Sequence, residues 1–196
     1  MTFKLGLTGS IGMGKSTTAA MFAQAGCDVW DADAAVHRLY ASGGQAVEPM
    51  KALLPEVVVD GGVSRELLRH EIAKDAGVLK AIEAIVHPLV AQDRQIFIDS
   101  ATADILVFDI PLLFETGGDG RMDAVAVVSI PADVQKARVL ARGLMSEEQF
   151  EIIRAKQMPN EEKVRRADYV IVTDTVDHAR MQVQNILASI REQRDA

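Results

Sequence analysis

Eight consecutive residues, Gly9-Ser10-Ile11-Gly12-Met13-Gly14-Lys15-Ser16, satisfy every fixed position of the spacing G-x-x-x-x-G-K-[ST]. Glycines at these positions let a chain curl so that successive backbone N–H groups point inward. With the N-terminus of a following helix they make an anion nest suited to a polyphosphate. Lys15 reaches the outer phosphates of such a ligand, and the Ser16 hydroxyl is placed to ligate magnesium. The loop defines a phosphoryl donor and leaves the acceptor open, because switch GTPases and motor ATPases use the same loop.

Other polar residues are candidates for the remaining chemistry. Trp30-Asp31-Ala32-Asp33 sets two carboxylates where a strand gives way to a helix. In a parallel sheet, strand C-termini line the ligand crevice, so the pair contains either a general base or a helix cap. Asp109 ends the hydrophobic run Ile105-Leu106-Val107-Phe108, a common magnesium-associated pattern in phosphate-loop proteins. Glu115 follows in Ile110-Pro111-Leu112-Leu113-Phe114-Glu115, where Pro111 stops the strand. Arg138 and Arg142 are four apart and share a helix face. They either serve a transferring phosphate or pair with nearby glutamates. His87-Pro88 reads as a junction between two helices, with Pro88 in the first turn of the second. No cluster has zinc spacing, and no nucleophile–histidine–acid order stands out.

The elements that must hold these residues alternate. Five short apolar runs read as buried parallel strands: Phe3–Thr8, Cys27–Asp31, Ile105–Ile110, Ala124–Ile130 and Tyr169–Thr173. Helical patterns cover Thr17–Ala25, Ala132–Arg142 and Met181–Ile190. The expected fold is therefore α/β, a five-stranded parallel sheet flanked by helices. About 70 residues between the second and third strands show no convincing strand. Helical spacing recurs there at Leu67–Ala73, Val78–Val86 and Leu89–Ile98, which reads as a helical insertion. Residues 143–167 are dense in charge, and Ser146 with Gln149 has capping-box spacing. That stretch is either a mobile lid or a solvated helix pair.

Bulk properties narrow the class. The 196 residues, 48% hydrophobic and 25% charged, suit one soluble domain, 1–196. A net charge of −7 disfavours a nucleic-acid surface. No apolar run approaches the ~20 residues that span a bilayer, and no leader pattern stands at the N-terminus. The single cysteine, Cys27, reads as a packed residue in a reducing compartment, so the cytoplasm is expected.

Taken in order, the motifs resemble those of the dephospho-coenzyme A kinase family along essentially the whole chain. Leu7 through Thr17 is similar to the family's opening, with Met13 where serine is common. Asp31-Ala32-Asp33, Asp60-Gly61-Gly62-Val63-Ser64-Arg65, Ile85-Val86-His87-Pro88-Leu89-Val90 and Pro111-Leu112-Leu113-Phe114-Glu115 resemble its acidic, acceptor and third-strand motifs. Arg142-Gly143-Leu144-Met145-Ser146, Gln157-Met158-Pro159 and Ala167-Asp168-Tyr169-Val170-Ile171 resemble its lid and last strand. Where the family leads one to expect an Asp-Asn pair after that strand, Val172-Thr173-Asp174-Thr175 stands here.

The resemblance implies a nucleoside-kinase-like phosphate-loop fold with a helical acceptor insertion at 34–103 and a lid at 143–167. It implies an ATP-dependent transfer to the ribose 3′-hydroxyl of dephospho-coenzyme A, with Mg2+. ATP would lie on Gly9, Ser10, Ile11, Gly12, Met13, Gly14, Lys15, Ser16 and Thr17, and Ser16 would hold the metal. Asp33 would accept the hydroxyl proton, Lys15 and Arg142 would steady the phosphate, and Arg65, His87, Pro88 and Glu115 would shape the acceptor site. The implied partners are ATP and dephospho-coenzyme A, with neither nucleic acid nor membrane. The nearest alternative is a nucleoside, nucleotide or shikimate kinase on the same scaffold. A GTP switch would want a guanine-reading Asn/Thr-Lys-x-Asp, which the chain lacks.

Overall fold

Strand β1 (Phe3–Thr8) sends Leu5 and Leu7 to one face of a sheet and Gly6 to the other, and both faces are covered. This is why its sequence reads as a nearly continuous apolar run. In the computed structural model, which describes residues 2–195, the chain divides into two compact units. One is Met1–Trp30 with Thr102–Ala196, and the other is Asp31–Ala101.

The first unit carries α1 (Lys15–Gln24), β5 (Ile105–Asp109), β6 (Ala124–Ser129), α6 (Ala132–Ala141), α7 (Glu147–Ala155), α8 (Asn160–Arg166), β7 (Tyr169–Val172) and α9 (Val176–Asp195). With β2 (Asp28–Asp31) the strands form a five-stranded parallel sheet in the order β2-β5-β1-β6-β7. Leu5 lies opposite Val107 on one side and Ala124 on the other. On one face Leu5, Leu7, Val107, Ala126 and Val128 pack with Met21 and Phe22 of α1 and with Val183, Ile186, Leu187 and Ile190 of α9. On the other, Leu113, Phe114, Val125 and Val127 meet Met158, Val164 and Ala167. A side chain at position 6 would collide with Leu113, its Cβ lying 2.7 Å from Leu113 Cδ2.

The second unit has a separate core. Between α2 (Ala32–Tyr40), α3 (Val47–Leu53), α4 (Arg65–Lys74) and α5 (Gly77–Ser100) lie Leu39, Met50, Val57, Val63, Leu68, Ile82 and Val86.

Two expectations for this unit need correcting. It is not free of strand: β3 (Val58–Val59) and β4 (Gly62–Val63) pair antiparallel. Asp60 at φ 51° and Gly61 at φ 76° make the two-residue turn. An Asp-Gly pair flanked by valines is the usual signal for such a hairpin. The second correction concerns His87-Pro88, which does not join two helices. Helix α5 runs unbroken for 24 residues with Pro88 inside it. A proline in a helix interior costs about 3 kcal/mol. Ile82 and Val86 before it, and half-buried Leu89 and Val90 after it, continue one apolar stripe on the same core and carry the helix through.

Elsewhere the boundaries shift by a residue or so. The ladder runs slightly past the assigned strands, with the Ile110 N–H on Leu7 C=O at 3.0 Å and the Thr173 N–H on Ser129 C=O at 3.1 Å. The last helix extends well beyond the expected Met181–Ile190 at both ends. Cys27 is buried, and burial pushes its thiol up to about 11, as an inert packed residue requires.

Candidate active site

The phosphate loop joins β1 to α1. Gly12 (φ 77°) and Gly14 (φ 88°) hold left-handed backbone that other residues adopt at a cost. A Cβ at Gly12 would also lie 2.3 Å from Val139 Cγ2. No side chain caps α1 and no acid sits in its first turn, so its N-terminus favours an anion. Ser16 and Thr17 beside it are exposed.

Neighbouring elements hold the loop's shape. Thr173 Oγ1 donates to Met13 C=O at 2.7 Å, and the Ile130 N–H donates to Met13 Sδ at 3.2 Å. The Met13 side chain is therefore a buried strut, leaving its backbone to the loop. Ile11 is clasped from both sides. Its N–H donates to Gln157 Oε1 at 3.0 Å, and its C=O accepts from Gln135 Nε2 at 2.6 Å.

Lys15 forms an ion pair with Asp109, whose carboxylate is almost fully buried. Sequence reasoning gave these residues separate tasks, and the fold makes them partners. Arg142 caps the end of α6 and is exposed. With Arg138, Gly14, Thr17 and Thr173–Val176 it lines a cavity of about 230 Å³. Arg138 donates to Asp174 C=O at 3.1 Å there.

Glu115 is tied to α8 and the turn before it. Its Oε1 accepts from the Met158 N–H at 2.8 Å and lies 3.0 Å from Nζ of fully buried Lys163. Lys163 also donates to Pro111 C=O at 3.3 Å, as does Thr8 Oγ1 at 3.0 Å just before the loop. Burial pushes the Glu115 carboxyl up, but the Met158 and Lys163 hydrogen bonds outweigh it and leave it below the ordinary range. Sequence reasoning missed Lys163 and Gln135 as contributors, and named Gln157 only within the lid-like Gln157-Met158-Pro159, without its bond to Ile11. A lysine in a charge-rich helix and a glutamine without motif partners carry no signal of burial.

In the Asp31–Ala101 unit the two motif carboxylates separate in role. Asp31 is the N-cap of α2, its Oδ1 accepting the Ala34 N–H at 2.9 Å. Asp33 sits in the first turn, exposed, and its carboxylate makes no hydrogen bond or ion pair with the described residues. Arg65 Nη2 lies 3.4 Å from Asp33 C=O, and its guanidinium stands 5.9 Å from the Tyr40 ring centre. Tyr40, Arg65 and His87 line one groove of about 340 Å³ over Leu68, Ile82 and Val86. Pro88 lies next along α5.

A phosphate loop on a parallel sheet of this strand order, with helices on both faces, makes the molecule a phosphate-loop kinase in fold. Shikimate kinase from Acinetobacter baumannii shares that fold at TM-score 0.56 and 16% identity, over 98% of this chain and 95% of the other. The dephospho-CoA kinase family model matches residues 3–178, and the chain belongs to that family. It is 73% identical to a dephospho-CoA kinase of Ruegeria pomeroyi over 97% of each chain, and 55% identical to one of Cereibacter sphaeroides over 99% and 98%. Among solved structures it is similar to TT1252 from Thermus thermophilus, with TM-score 0.86, 34% identity, and coverage of 96% and 97%.

Proposed function

We propose that the protein transfers the terminal phosphoryl group of ATP to the ribose 3′-hydroxyl of dephospho-coenzyme A, giving coenzyme A and ADP. The observation that carries this is the family match across residues 3–178. No feature favours a nucleoside, nucleotide or shikimate acceptor instead.

Phosphoryl transfer demands positioning and charge neutralisation more than covalent chemistry. In our reading the loop from Gly9 to Thr17 receives the ATP phosphates on its backbone N–H groups. Lys15 leaves Asp109 for the outer phosphates, its ammonium exchanging one anionic partner for another. Arg142, exposed at the root of the 143–167 segment, closes on the transferring group. Asp33 takes the hydroxyl proton, which its exposed and unpaired carboxylate is free to do. Arg65, His87 and Pro88 shape the acceptor site on the 31–101 unit. The family resemblance adds Glu115 to the acceptor residues; in its own unit its carboxylate holds the Met158 N–H and Lys163.

The residues present fit magnesium. The Ser16 hydroxyl is exposed and supplies one hard oxygen, while no group of three or more His, Cys, Asp or Glu among the described residues could cage a metal. Magnesium keeps most of its waters and takes few protein ligands. Ser16 would hold it, and it would neutralise charge on the phosphates. No helix among the described residues is long and apolar enough to cross a membrane, and we place the enzyme in the cytoplasm with ATP and dephospho-coenzyme A as its partners.

The test is an ATP-consumption assay with dephospho-coenzyme A beside a panel of nucleosides, nucleotides and shikimate. ADP should form only with dephospho-coenzyme A, together with a product one phosphate heavier. Preferential turnover of a panel compound would overturn the reading.

A further inference from the structure

A glycine-rich loop receives phosphate in only one of the shapes open to it. Glycines lose more backbone freedom on ordering than other residues, and Gly9, Gly12 and Gly14 all fall in this loop. Any share of the molecules with the loop in another shape weakens the apparent affinity for the donor in proportion. Contacts that fix the backbone before the phosphates arrive therefore strengthen binding without touching the ligand.

Two such contacts meet on Ile11. Its N–H donates to Gln157 Oε1 at 3.0 Å, and its C=O accepts from Gln135 Nε2 at 2.6 Å. The N–H belongs to the peptide before Ile11 and the C=O to the peptide after it. Because peptides are planar, the two bonds fix the backbone on both sides of one residue. The backbone also assigns the side-chain amides, since an N–H can face only the oxygen of a glutamine and a C=O only its nitrogen. Next in the chain is Gly12 at φ 77°, where α6 comes so close that a Cβ would stand 2.3 Å from Val139 Cγ2 and 3.3 Å from Gln135 C=O.

The two glutamines come from different elements, and each is itself held. Gln135 lies on α6 and is 3% exposed. Gln157 lies in the turn between α7 and α8, where the Met158 N–H donates to Glu115 and Asn160 Nδ2 to Ser129 Oγ. Those two bonds anchor the turn independently of the Gln157 side chain.

We propose that Gln135 and Gln157 are positioning residues for the phosphoryl donor, a two-sided clasp that keeps Ile11, and through it the loop, in its phosphate-receiving shape. The inference rests on the reading of the loop as the ATP site. Neither side chain is asked to touch the nucleotide. The clasp acts before binding, because bound phosphates hold the loop themselves. Its loss therefore weakens ATP binding and leaves transfer from bound ATP in place.

The experiment replaces each glutamine by methionine, which is similar in length. Both positions line a cavity of about 710 Å³ together with Met13, Ile130 and Met158, so the thioether finds apolar neighbours. Gln157→Met and Gln135→Met should each raise the Kd of a non-hydrolysable ATP analogue, and KM for ATP, by about three- to tenfold, the range of one lost hydrogen bond. At saturating ATP, kcat should recover to within about twofold, and KM for dephospho-coenzyme A should not move. Hydrogen exchange at the Ile11 amide, followed by NMR, adds a readout that a purely structural role would leave unchanged. Without nucleotide it should quicken in Gln157→Met and also in Gln135→Met, where the bond to that amide is untouched. The ATP analogue should slow it again in both. Gln157→Glu, whose carboxylate still accepts the Ile11 N–H, should restore the protection. Unchanged ATP affinity in a folded Gln157→Met protein, or a fall in kcat that saturating ATP does not restore, overturns the assignment. So does an Ile11 amide indifferent to Gln135→Met. If Gln135→Met does not fold, the affinity and kcat of Gln157→Met decide the matter. A wild type that binds no ATP analogue would instead refute the donor reading of the loop.

Discussion

Asp31 Oδ1 holds the Ala34 N–H at 2.9 Å, and this single bond lets two neighbouring carboxylates be told apart by experiment. A lost N-cap costs about 1 kcal/mol. Asp31→Ala should therefore lower stability by about that amount, read as a shift in the denaturant midpoint. Asp33 makes no such bond, so Asp33→Asn should leave the midpoint in place. Its turnover should fall by roughly 10²–10⁴-fold, the usual loss on removing a general base. An Asp33→Asn enzyme within a few-fold of wild type, with both substrates saturating and chemistry limiting, would remove Asp33 from the reaction. The Glu115–Lys163 pair gives a second residue-level expectation. The folded-state Glu115 carboxyl lies below the ordinary glutamate value, so its contribution to stability is present above the ordinary value and is lost as the pH falls through the folded one. Stability of the wild type should thus drop more steeply below about pH 4.5 than that of Glu115→Gln. Parallel curves, measured by denaturant melts across that range, would mean that the carboxylate is not held in solution as it is here.

At the scale of elements, residues 143–167 do not behave as one piece. The second half is anchored: Gln157 bonds to Ile11, Met158 to Glu115, Asn160 Nδ2 to Ser129 Oγ at 2.8 Å, and Lys163 is fully buried. The first half is held more lightly, by Phe150 and by the ion pair of Lys136 on α6 with Glu147. Leu144 is 81% exposed and Ile152 50%, and Phe150 is the buried residue of α7. Its capping box, with both bonds made between Ser146 and Gln149, keeps the helix intact without fastening it to the core. Local opening is least costly where few apolar contacts must break. Hydrogen exchange should therefore slow on addition of an ATP analogue and dephospho-coenzyme A across residues 143–156. Residues 157–167 should be well protected with or without ligands. Uniform behaviour across both halves would contradict a boundary at Gln157.

At the scale of the whole molecule, local chemistry and tertiary packing can be separated. The phosphate loop, the five strands and the helices flanking them were legible because their signals are local. A glycine spacing dictates backbone shape, and an apolar run covered on both faces needs no distant partner to be recognised. The Ser146 capping box was legible for the same reason. The hairpin at Asp60-Gly61 was equally local but is only two residues per strand, too short for alternation to register. Pro88 misled because a helix-breaking residue is a local signal, whereas the core beneath α5 that overrides it comes from α2, α3 and α4. The site divides in the same way. Its loop residues Gly9–Ser16 could be named from spacing, whereas the acceptor residues came only from the family resemblance. Which carboxylate is the cap is settled by a local bond, Asp31 to Ala34 three positions on, but that Lys15 is paired with Asp109 and that Lys163 is buried against Glu115 were decided only when residues 94 and 48 positions apart met in space. Pairing energies depend on distance and burial, and neither is written in the order of the residues.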